Sequence, residues 1–127
     1  MLFSEALEIR PGLTAVIGSG GKTSLINRLA DELSAARVII ATSTHMKQVP
    51  ALQPRVSDVV PGTPRIVGTP GPDGKFGPPE QSWAELCALA DYVLVEADGS
   101  RRLPLKAHLS HEPVVPPEAE QVIAVLG

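Results

Sequence analysis

Six residues, Gly18-Ser19-Gly20-Gly21-Lys22-Thr23, stand between an apolar run (TAVI) and a stretch of helical periodicity. Their types suit the cradling of phosphate. Glycines let the backbone turn tightly and aim successive N–H groups inward. The starting helix adds the positive end of its dipole at the same point. Lys22 has the reach for β and γ phosphates, the Thr23 hydroxyl can ligate magnesium, and Ser24 follows on the same helix start. The loop is shorter than the usual phosphate loop: Val16 occupies the position of its first glycine, and the turn opens at Gly18. The same glycines could serve a tight turn alone. The placement after a strand and before a helix favours phosphate.

A second group closes the segment YVLVEADGS, where Glu96 and Asp98 sit at the end of a strand. Open α/β sheets hold ligands at that end. Asp98 is the first candidate and Glu96 the second for orienting magnesium or a water. Two-residue spacing puts both on the same side of an extended segment. Read blandly, Asp98-Gly99 is a turn signal. A third group, Thr42 to Lys47, follows another strand, and here Thr44 and His45 are candidates for sensing a terminal phosphate. An ordinary helix cap would look similar. The fourth group, Arg101, Arg102 and Lys106, offers cations that can clamp an anion, or that merely solvate a loop. Histidines 45, 108 and 111 have no zinc spacing.

These groups need elements to position them. Periodicity predicts a short helix over 2–8 opening at Ser4, a strand at LTAVIG, and a helix over 22–34 with Leu25, Ile26, Leu29, Ala30 and Leu33 on one side. RVIIAT at 37–42 reads as a second strand, and strand–helix–strand order implies parallel, buried strands. Residues 49–80 are rich in proline and glycine, with one short strand at 65–67 (RIV). They read as a flexible or lid-like segment, or as a degraded region of sheet. Ser82 and Glu85 fit a capping box before a helix whose face carries Trp83, Leu86, Cys87 and Ala90. YVLVEA and QVIAVLG read as two further buried strands. The expected fold is a single α/β domain over 1–127, a three-layer parallel sheet of the P-loop NTPase type. A last strand without a following helix would leave an apolar face bare, so the chain is expected to be an incomplete, N-terminal part of a longer domain, or to need a partner, another copy of itself included.

Composition narrows the class. With 127 residues, 43% hydrophobic and 20% charged, one globular domain is expected. A formal charge of −3 and only four aromatic residues argue against a nucleic-acid surface. One cysteine, Cys87, permits no internal disulfide and suits a reducing compartment. No apolar run approaches the roughly 20 residues of a membrane span.

Four blocks in order, VIGSGGKTSL at 16–25, ATSTHM at 41–46, VLVEADGSRRLPLKA at 93–107 and HEPVVP at 111–116, resemble the selenium-dependent hydroxylase accessory protein family, also called YqeC-like. The short phosphate loop is similar to that of the Mur ligases, whose later motifs are not evident. The family resemblance implies a cytoplasmic P-loop protein that binds ATP or GTP with magnesium and acts in the maturation of selenium-dependent molybdenum hydroxylases. Its partner would be the hydroxylase apoenzyme or its cofactor. The family's phosphate-loop residues map to Gly18, Gly20, Gly21, Lys22 and Thr23, its acidic strand end to Glu96 and Asp98, and its basic segment to Arg101, Arg102 and Lys106. Family members are usually much longer, and the segment at 50–80 is shorter and richer in proline here. Lys22 would neutralise phosphate charge, with Thr23 and Asp98 holding the metal. NTP hydrolysis and phosphoryl or nucleotidyl transfer are the reactions in view. The alternatives are an ATP-dependent small-molecule kinase or ligase, and an assembly factor that binds an apoenzyme without hydrolysis. The absence of a guanine-reading motif tilts the base toward adenine.

Overall fold

The computed structural model describes residues 2–18, 20–97 and 115–126. Its centre is a six-stranded parallel sheet. In chain order the strands are β1 (Gly12–Gly18), β2 (Val38–Thr42), β4 (Leu52–Gln53), β5 (Arg65–Val67), β8 (Tyr92–Glu96) and β9 (Ala119–Val125). Across the sheet they run β4-β5-β2-β8-β1-β9. A second, antiparallel sheet of three strands is formed by β3 (Met46–Lys47), β6 (Thr69–Pro70) and β7 (Lys75–Gly77), in the order β3-β7-β6.

Strand β2 is buried at all five positions and β8 at all but its first. Such continuous apolar runs belong to strands covered on both faces. On one face lies α2 (Lys22–Glu32), whose Leu25, Ile26, Leu29 and Ala30 pack on Val16, Val38, Ile40 and Leu94. On the other lies α3 (Trp83–Leu89), whose Trp83, Leu86 and Cys87 meet Leu13, Ala15, Val93 and Val95. Both apolar stripes are the ones the periodicity predicts. At the start of α3 the Ser82 hydroxyl accepts the Glu85 N–H at 3.1 Å. The Glu85 carboxylate turns toward Gln81 and Arg55.

Helix α1 (Phe3–Ala6) begins one residue before the expected Ser4 and is shorter than the expected span. Its first N–H groups, Phe3 and Ser4, donate to Glu32 at 3.1 and 2.7 Å, so α2 caps it from outside. The proline-rich stretch contributes β4 and β5 to the main sheet and β6 and β7 to the small one, and the RIV run is β5. Buried Gln81 fastens part of this stretch by bonding both the N–H and the carbonyl of Val56. β9 departs from expectation: it alternates half-buried and exposed residues, because it is the sheet's edge among the described residues and packs only Ile123 and Val125 against the α2 side.

Candidate functional site

β8 and β2 end level with one another, Glu96 in register with Thr42, while β1, whose Val16 is in register with Glu96, runs on to Gly18. This carboxyl-terminal rim carries the glycine turn. Gly18 ends β1 at φ +135°, and a side chain there would begin 2.0 Å from the Val125 carbonyl oxygen. β9 therefore forms a wall against the turn, and only glycine fits. Gly20 faces open space. Gly21, at φ +76°, is the residue before α2, and no side chain caps that helix end. The first intrahelical bond runs from Leu25 N–H to Gly21 at 3.0 Å. The N–H groups of Lys22, Thr23 and Ser24 lie ahead of that bond, and donors at such a helix start are ones an outside acceptor can take.

Glu96 joins this turn to the sheet. Its side chain is buried, and the Thr23 hydroxyl donates to its Oε1 at 2.8 Å. Lys22 Nζ lies 4.0 Å from Oε2, a loose pairing that holds the ammonium near the turn. The Glu96 backbone is fixed as well, since its carbonyl accepts from Thr42 Oγ1 and from Ser43 N–H, both at 3.0 Å. The Thr42 hydroxyl in turn accepts the Thr44 N–H at 3.0 Å. One buried hydroxyl thereby sets the start of the loop after β2.

The structure brings together Gly18, Gly20, Gly21, Lys22, Thr23 and Glu96. Ser24 is exposed on the first turn of α2. Thr44 is half-buried on the same rim. His45 is exposed, and its ring lies beside Gly77 of the small sheet rather than among the contacts of Glu96. Ser19, Asp98, Arg101, Arg102 and Lys106 lie outside the described residues.

Two features escape the sequence reading. Thr42 acts as a positioning residue, and Val125 walls the turn from a strand more than 100 positions away. Neither has a local signal, because both depend on which strands are neighbours. The residues that could hold magnesium were legible in part. Thr23 and Glu96 offer a hydroxyl and a carboxylate 2.8 Å apart, hard oxygens of the kind that could hold magnesium. Among the described residues no three or more His, Cys, Asp or Glu side chains gather into a metal cage. Cys87 takes no part: burial pushes its thiol up, with nearby Glu118 and Glu120 adding to the effect. No helix among the described residues is long and apolar enough to cross a membrane.

The family model described as "YqeC protein" matches residues 14–127, and the chain belongs to that family. A relative from Escherichia coli (strain K12), described as "Uncharacterized protein YqeC", is 38% identical over 134 residues. The match covers 93% of this chain and 52% of the relative, so the chain spans about half the length of that protein. No solved structure matches.

Proposed function

Starting from membership of the YqeC family, we propose that the chain binds a nucleoside triphosphate with magnesium. The observation that carries this reading is the bond from Thr23, on the glycine turn, to Glu96, on the neighbouring strand. A hydroxyl, a carboxylate and an ammonium meet where an uncapped helix begins, and a magnesium-bound triphosphate is the ligand such a set accommodates. Lys22 would leave Glu96 for the β and γ phosphates. Thr23 and Glu96 would hold the metal, with Asp98 as a further ligand. Magnesium, when bound, neutralises phosphate charge. Thr44 would face the terminal phosphate, and Arg101, Arg102 and Lys106 an anionic group; His45, whose ring lies beside Gly77, is left out of that role.

The biological setting follows from the family resemblance: the nucleotide drives maturation of a selenium-dependent molybdenum hydroxylase, through the apoenzyme or its cofactor. The chain matches about half of its relative, so activity and partner are proposed for the whole protein.

Titration of ATP and GTP, each with and without magnesium, into the chain and into Glu96→Gln tests the site. The expected result is magnesium-dependent binding of at least one nucleotide, stronger for ATP, with most of the magnesium dependence lost in Glu96→Gln. Equal binding with and without magnesium in both proteins would remove Glu96 from the metal site. Phosphate release by the whole protein with and without the apoenzyme then separates a hydrolase from an assembly factor.

A further inference from the structure

The small antiparallel sheet follows directly from the rim. Its inner side is the paired Met46 and Phe76, both buried. The next pair, Lys47 opposite Lys75, must point the other way, and both residues are exposed. One step further the Gln48 N–H donates to the Gly74 carbonyl at 2.8 Å. Bonded and non-bonded pairs alternate along such a ladder, so Lys47 and Lys75 form a non-bonded pair, the type with the closer side chains. Two like charges directly opposite there destabilise the sheet. Among the described residues neither ammonium has a carboxylate within ion-pair distance. On the same outward face, one pair back, the His45 ring lies beside Gly77, with Cδ2 4.0 Å from where a side chain would start.

Protection of an exposed sheet edge would account for Lys47, because β3 is an edge strand. It does not account for Lys75, which lies on the central strand β7. The placement is fixed rather than loose. Thr42, bonded to Glu96, anchors one end, and Phe76, 1% exposed, pins the other. Lys47 is five positions after Thr42, which puts this face within about 17 Å of the rim even at full extension.

We propose that His45, Lys47 and Lys75 bind an oxyanion, the carboxylate or phosphate of a second substrate held beside the nucleotide. The assignment of that oxyanion to a second substrate rests on the nucleotide reading of the rim; the anion site itself does not. An anion between the lysines turns their repulsion into shared attraction, and imidazole adds a directed donor.

The test uses Lys22→Ala, which disables the phosphate loop, and follows lysine and histidine signals by NMR during separate titrations with inorganic phosphate and citrate. Saturable shifts at Lys47, Lys75 and His45 are expected, and the anion that binds more tightly identifies the group. In Lys47→Ser/Lys75→Ser the affinity for that anion should fall roughly tenfold or more, while ATP–magnesium affinity in the Lys22 background stays the same. Lys75→Glu serves as a folded control: it replaces repulsion with attraction, so it should raise the melting temperature while removing anion binding. Silent signals with both anions in folded protein would overturn the inference, whatever ATP does. Saturating shifts in a chain that fails to bind ATP–magnesium would instead remove the nucleotide reading and leave the anion site standing.

Discussion

Glu96 serves the rim with both of its parts, the carboxylate toward Thr23 and Lys22 and the backbone carbonyl toward Thr42 and Ser43. Glu96→Gln keeps a hydrogen-bond acceptor for Thr23 and removes only the charge, which is why magnesium dependence is the readout most sensitive to it. The glycines separate by geometry. Gly21→Ala places a side chain at φ +76° in otherwise ordinary space, and should cost about 1–2 kcal/mol in denaturant melts. Gly18→Ala should cost more, because its methyl would begin 2.0 Å from a backbone oxygen of β9. A smaller loss for Gly18→Ala than for Gly21→Ala would contradict the wall formed by Val125. At this scale the placement of Lys22 and Thr23 was legible, since the strand-to-helix junction is visible in TAVI and the stripe after it. Asp98, the first of the two carboxylate candidates, lies outside the described residues. The bond that distinguishes Glu96 needs β8 beside β1, and that adjacency has no local signature.

The opposite end of the sheet is tied by one ion pair. Arg37 lies just before β2 and Asp91 just before β8, and the guanidinium meets the carboxylate at 3.0 and 3.3 Å while the Arg37 N–H donates to it at 3.0 Å. The hydrogen bonds from Arg37 hold the Asp91 carboxyl below the usual carboxylate range. A depressed folded value means that the stabilisation is present above the unfolded carboxylate pKa and fades as pH falls through the folded one. Thermal melts should therefore show Asp91→Asn less stable than the parent at neutral pH, with the gap closing in acid. A gap that persists in acid would assign the loss to something other than this charge. In the small sheet, Phe76→Ala should cost about 3–5 kcal/mol, measured by denaturant unfolding. The amphipathic helices were readable because their periodicity spans several turns. The small sheet was not, since its strands are two or three residues long. One cue was present: Asp73-Gly74, both at positive φ, form the turn between β6 and β7, and that dipeptide is a strong hairpin signal.

At the scale of the molecule, the sheet is unevenly covered among the described residues. Helices pack on both faces of the central strands, but on β9 Val122 is 49% exposed. An uncovered edge strand with apolar side chains favours association. Val122→Lys should lower concentration-dependent association in light scattering without lowering the melting temperature, and unchanged association would show that this edge is not adhesive. The parallel α/β layout was legible from the alternation of strand and helix patterns, whereas the order of the strands was not. That order is what sets Glu96 against the glycine turn and Val125 beneath it. Calorimetric titration of ATP with magnesium into the chain and into Lys22→Ala tests the central claim most directly. Saturable binding by the parent and at least a roughly tenfold loss in the variant are predicted. Folded parent protein with no measurable affinity for either ATP or GTP, or equal affinity in both proteins, would contradict the assignment of the glycine turn as a phosphate site.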